Sequence, residues 1–122
     1  MGAESSDNGS PVRGVSCTDP TARKVWIVPQ AGHGNRGSIR VAFGTDGTAP
    51  VKCLDVTNGI NANGTKLQLW DCTANNVNQN WFPNGVAIQW SGANGANPMC
   101  IDLTDGVIGN QVSAVCKVLS RR

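Results

Sequence analysis

The sequence contains no apolar run approaching the roughly 18 residues that a membrane-spanning helix requires, so no membrane span is expected. It is also poor in charge of either sign: ten Lys and Arg stand against eight Asp and Glu in 122 residues, a net charge of +2. That balance leaves no basic stripe on which a phosphate backbone could lie, and no nucleic-acid partner is expected. The terminal Arg121-Arg122 pair reads as a solvated tail. The first eleven residues are largely polar and no apolar stretch follows a basic one, so no secretory signal is visible. There is one histidine, His33, in the glycine-rich loop Gly32-His33-Gly34, and no Ser or Cys stands in a nucleophile context to partner it. The stretch Gly32 to Gly37 lacks both the Gly-Lys-Thr/Ser and the following helix of a phosphate loop. The five cysteines form no C-x-x-C pair, the nearest two being Cys100 and Cys116, so neither a metal nor another cofactor is expected. The aspartate pairs 55/102 and 102/105 are weak candidates for glycosidase chemistry, which needs two carboxylates flanking a deep cleft. No catalytic residue is assigned, and the chain is not expected to be an enzyme.

What the sequence has in quantity is turn residues. Fifteen Gly and thirteen Asn are scattered along the chain, and both tolerate positive φ. Between them lie short period-2 alternations such as Ile39-Arg40-Val41-Ala42-Phe43 and Lys66-Leu67-Gln68-Leu69-Trp70, which read as strands. No helix-length stretch with a 3.6 period and caps is present. The class expected is all-β, in one domain at most. Five cysteines in a small Gly- and Asn-rich chain point to an oxidising, extracellular compartment.

Self-similarity organises these pieces. At a shift of 55 residues, Asn8-Gly9-Ser10 falls on Asn63-Gly64-Thr65, Val12 on Leu67, Cys17-Thr18 on Cys72-Thr73 and Trp26 on Trp81. At a shift of 47, Cys53-Leu54-Asp55-Val56-Thr57-Asn58-Gly59 falls on Cys100-Ile101-Asp102-Leu103-Thr104-Asp105-Gly106. The unit reads Cys-apolar-Asp-apolar, turn, then apolar-Gln-apolar-Trp-x-Cys, loop, and Gln-x-Trp. Residues 53–81 hold all of it, residues 8–26 the second half and residues 100–116 the first half.

The order C-x-D, Q-x-W-x-C, N-Q-x-W resembles the repeat of the ricin B-type lectins, three copies of which build a β-trefoil. The resemblance implies a β-trefoil with about two of its three repeats present. It divides the chain into a polar tail at 1–7, a lectin domain at 8–116 (8–26, 37–81 and 85–116 as half, whole and half repeats) and a tail at 117–122. By spacing, the counterpart of Cys53 in the first copy would fall before residue 1, so the front of that repeat is expected to be missing. In the last copy Gly109-Asn110-Gln111-Val112 matches Gly64-Thr65-Lys66-Leu67, which puts Ser113 and Val115 in the Gln and Trp slots. The resemblance further implies a Cys53–Cys72 disulfide, leaving the pairing of Cys17, Cys100 and Cys116 open.

A sugar presents fans of hydroxyls and an apolar patch of C–H groups on one ring face. It therefore calls for a flat aromatic and for planar, multivalent hydrogen-bonding groups. Alternation along Leu67-Gln68-Leu69-Trp70 turns the leucines to one side and Gln68 and Trp70 to the other. Asp55, on Cys53-Leu54-Asp55-Val56, can receive two vicinal hydroxyls in charge-assisted bonds. By resemblance, Asp55, Gln68, Trp70, Asn78 and Gln79 match the family's galactose-type positions. Trp26 and Trp81 read as core, and Gln79 as partly structural. Asp102 lacks Gln and Trp partners, and Arg13 and Val15 replace them in the first copy, so a single site is expected.

The function expected is carbohydrate binding, with glycans as partners, by a free-standing lectin or a module attached to a catalytic domain. The alternative is a trefoil-like interaction protein without sugar binding, such as a protease inhibitor. Uncovered strand edges in a two-repeat chain also predict a homo-oligomer. Asn8-Gly9-Ser10 and Asn63-Gly64-Thr65 are formal N-glycosylation acceptors, but both lie in the repeat's own turn.

Overall fold

The structure is a computed structural model that describes residues 1–30, 35–43, 50–90, 92 and 98–115, the side chain of Val115 excepted. His33, Cys116 and the expected tail at 117–122 lie outside the described residues. Within them, eight antiparallel strands form one sheet: β1 (Trp26–Ile27), β2 (Arg40–Ala42), β3 (Val51–Val56), β4 (Thr65–Asp71), β5 (Trp81–Pro83), β6 (Ile88–Trp90), β7 (Met99–Leu103) and β8 (Val112–Val115). Their order is β1-β2-β3-β4-β8-β7-β6-β5. Gly37, just ahead of β2, exchanges backbone hydrogen bonds with Trp81 of β5, so the sheet curls back toward its own beginning. The described residues form no α-helix, and none of their helical turns is long and apolar enough to cross a membrane. The expected all-β trefoil arrangement holds.

Alternation decides which side chains reach the interior. Leu67 and Leu69 of β4 are fully buried, as are Leu54 and Val56 of β3 and Val41 of β2. They meet Val12, Ile39, Trp81, Trp90, Met99 and Val112 in one core. Trp81 is fully buried and donates its Nε1–H to the Leu54 carbonyl at 3.0 Å. Trp26, its counterpart one shift earlier, is only partly buried and bonds the Met1 carbonyl instead.

The complete and the last copy share one strand register. In β3–β4 the pairs are Asp55 with Gln68 and Val56 with Leu67; in β7–β8 they are Asp102 with Ser113 and Leu103 with Val112. The intervening turns also agree. Thr57–Gly59 (η1) and Thr104–Gly106 (η3) are 3-10 turns with φ of 56° at both Asn58 and Asp105, followed by glycines at 64° and 65°.

The second strand of each copy contributes to a ring of hydrogen bonds that closes on itself. Gly9 donates to Leu69, Gly64 to Ala114 and Gly109 to Gly14. The three donors occupy equivalent positions and share φ values of 87°, 86° and 98°, which an L side chain rarely adopts. Open space surrounds Gly64 and Gly109, so the backbone angle rather than crowding calls for glycine there.

Residues 1–7 do not behave as a free polar tail. Gly2 pairs with Arg13 and Ala3 with Arg23, and Ala3 is buried. The Gly2–Arg13 pair stands where Asp55–Gln68 stands in the complete copy, so residues 2 and 3 occupy the front strand that spacing placed before residue 1. A Cβ on Gly2 would lie 2.4 Å from a Val15 methyl, which leaves no room for the aspartate of the complete copy.

Candidate functional site

The five predicted positions converge on the β3–β4 hairpin and the 3-10 turn Val77–Gln79 (η2) that folds over it. The hairpin register sets Asp55 opposite Gln68 and Cys53 opposite Trp70. A Cys53–Cys72 disulfide, with Cα atoms 5.1 Å apart, ties β3 to the end of β4. In the chain-entropy account a loop of this length stabilises the fold by about 3 kcal/mol. Cys17 is exposed and in no disulfide. At the end of β4, Lys52 pairs with Asp71 at 2.5 Å and donates to Asn8, whose side-chain carbonyl also accepts the Asp71 N–H; these bonds hold the strand immediately after Trp70.

Asp55, Gln68, Trp70 and Asn78 line one shallow depression of about 200 Å3. Trp70 is 42% exposed, unusual for an indole flanked by a fully buried leucine, and forms its apolar wall. Asp55 forms the floor. It is buried to 4%, deeper than alternation alone implies, because η2 covers its face of the strand. Its Oδ1 accepts from Gln68 Nε2 at 3.0 Å and its Oδ2 from Gln79 Nε2 at 3.1 Å. Each carboxylate oxygen keeps a second lone pair. Burial pushes the Asp55 carboxyl above its ordinary value of 3.8, against the two amide bonds that favour its charged form.

Gln79 does not line this depression. It is buried, with Nε2 given to Asp55 and to the Asp71 carbonyl, and Oε1 accepting the Thr73 N–H. These bonds fix the Asp55 carboxylate in place. Asn78 lies beside Gly59, where a Cβ would come within 2.5 Å of Asn78 Oδ1, so this close approach and a φ of 64° both require glycine.

Sequence reasoning missed two lining residues and one support. Asn58, held at φ 56°, and Asn76 complete the rim. Asn76 also caps η2, accepting the Asn78 N–H and donating to Thr73 Oγ1. The Asn58-Gly59 dipeptide is a visible turn signal that could have found Asn58. Trp90, buried in the core, donates to the Val77 carbonyl at 2.6 Å and anchors η2 from behind. This contact joins residues with no shared periodicity.

The arrangement offers a neutral aromatic face, a carboxylate acceptor and several amides in a shallow, open dish. That combination suits an uncharged polyhydroxylated ring. Among the described residues no cluster of three or more His, Cys, Asp or Glu could hold a metal. The other copies do not repeat the set: the equivalent places hold Gly2, Arg13 and Val15 in the first, and in the last the aspartate recurs as Asp102 but with Ser113 and Val115.

The sequence matches the family described as ricin-type beta-trefoil lectin domain over residues 1–120. No curated protein and no solved structure gives a significant match.

Proposed function

The chain belongs to the ricin-type β-trefoil lectin family, whose members bind carbohydrate, and from that premise we propose that it takes a galactose-type sugar in the depression between Asp55 and Trp70 and acts by binding rather than catalysis. One observation carries the reading: an exposed indole and a buried, doubly bonded carboxylate face the same small dish. The ring's C–H face stacks on Trp70, and two vicinal hydroxyls donate to Asp55. The amides of Gln68, Asn58 and Asn78 surround the remaining hydroxyls.

Retention on immobilised galactose tests this. The wild-type chain should be retarded, and Trp70→Ala should weaken binding at least about tenfold, or about 1.4 kcal/mol, while keeping the wild-type melting temperature. Wild-type protein that passes unretarded, or an alanine variant that binds as well, overturns the reading. A sugar-free interaction protein would be indifferent to this substitution.

Affinity for one sugar should be near millimolar, because about 12 heavy atoms at about −0.3 kcal/mol each give roughly −4 kcal/mol. Useful binding then draws on several sites displayed together, through self-association or an attached domain. Edge strand β1 supports self-association, since Ile27 within it and Val25 just before it are 56% and 82% exposed. Light scattering should report a mass above one chain at micromolar concentration; a monodisperse monomer would refute it. The disulfide supports an extracellular setting.

Acidification should separate binding from folding. Sugar binding uses ionised Asp55, so affinity should fall as pH drops through its raised pKa. Stability should not fall with it. An aspartate whose folded pKa is raised costs stability when ionised, and that cost is relieved between its folded pKa and 3.8. The carboxyls of Asp19 and Asp71 are held low, by hydrogen bonds from Thr21 and Lys52 respectively, so their stabilising contribution is lost only below 3.8. Above pH 3.8, then, affinity should decline on acidification with an undiminished melting temperature. Calorimetric titration and thermal melts over that range check both halves.

A further inference from the structure

A second and larger cleft, of about 470 Å3, is lined by Gly37 and Ser38 and by the loop of residues 73–80. It abuts the depression. Asn76 lines both, and Gln79, which lines the cleft, bonds the carboxylate that floors the depression. The cleft's polar walls are hydroxyl and amide, from Ser38, Thr73, Asn75 and Asn80, with no Lys, Arg, Asp or Glu among the lining residues. A primary amide offers two donors and an acceptor, so this lining can follow hydroxyl groups in several orientations. It offers no cation to a phosphate or carboxylate. It also lacks an aromatic platform, so a sugar ring has no apolar face to rest on there without an anchor nearby. The depression supplies that anchor but, at about 200 Å3, falls below the range of about 300–1,000 Å3 usual for small-molecule sites and has space for about one ring.

We propose that the site binds a linear, uncharged oligosaccharide, with one residue stacked on Trp70 and the next units passing over Asn76 into the amide-lined cleft. This extends the carbohydrate reading above and rests on it. Asn76 is then a shared contact between two neighbouring sugar units, and chain length rather than the terminal sugar alone sets affinity.

The test is calorimetric titration of the full chain with galactose and with a linear β-1,4-linked galactotetraose. A four-unit ligand gains about fourfold on statistical grounds alone. The tetrasaccharide should bind at least tenfold tighter than galactose. Asn80→Ala and Ala74→Leu, both on exposed cleft residues outside the depression, should each remove most of that gain while leaving galactose affinity unchanged. Unchanged galactose affinity also reports that the variants fold. Equal affinities per sugar unit, or a tighter tetrasaccharide that both variants bind as well as wild type, would overturn the extension and leave the single-sugar site standing. If galactose itself fails to bind, the reading of the depression falls, and the extension with it.

Discussion

Trp81→Ala should lower the unfolding free energy by about 3–5 kcal/mol, the range typical of deleting a fully buried indole. Three losses combine at this position. The side chain is wholly enclosed by the core, so its removal leaves a cavity that the surrounding strands fill only in part. Its Nε1–H satisfies the Leu54 carbonyl, a group that would be left without that partner. Trp81 also sits opposite Trp90 in the β5–β6 pair and exchanges backbone bonds with Gly37, so relaxation at this point loosens the contact that curls the sheet. A domain of this size has about 5–15 kcal/mol in total, so the variant should be marginal or unfolded at 37 °C. Chemical denaturation, or a melting temperature lowered by roughly 10–20 °C, would register the loss. A change under about 1 kcal/mol would mean that this indole does not fill the interior.

Asp55→Asn should abolish measurable sugar binding while leaving the chain folded. The substitution keeps the shape and removes the charge. An asparagine presents one acceptor and one donor where the carboxylate presents two acceptors. Gln79 cannot turn to accommodate this, because its amide is committed to the Thr73 N–H and the Asp71 carbonyl. The new carbonyl oxygen must therefore face Gln79, which turns the new NH2 toward Gln68 and the ligand. Losing one acceptor bond and the charge assistance of the other should weaken galactose binding roughly 30- to 100-fold. From a millimolar start this means no saturation in a titration. Relief of the desolvated charge offsets the poorer hydrogen bonding, so the melting temperature should move by only a few degrees. An Asn variant that binds as tightly as wild type would show that residue 55 receives no hydroxyl.

The strands were legible because their alternation is strict. Leu67 and Leu69 face inward and Gln68 and Trp70 outward, as period 2 requires. Register followed from the two shifts, since equivalent residues at 55/68 and 102/113 pair identically. Alternation, however, states which side of a sheet a residue faces and not what lies over that side. Asp55 faces away from the core leucines, yet it is buried because η2 crosses above it. The same crossing turns Gln79 into a support for the carboxylate rather than a lining residue of the dish. Ala3 escaped notice because two paired residues are too short to display a period. The Trp90 bond to Val77 escaped for another reason: it arises only when β6 and η2 are brought together by the finished fold.

The ring of hydrogen bonds from Gly9, Gly64 and Gly109 has a consequence for how the molecule forms and opens. Its last link joins Gly109 to Gly14, segments almost the whole described chain apart, so the ring cannot be completed by any local hairpin. Folding must wait for that long-range encounter, which places the chain among slow, topology-limited folders. Once made, the ring has no free end from which to fray. The three glycine amides should therefore exchange with solvent deuterium at one common rate, set by opening of the whole domain.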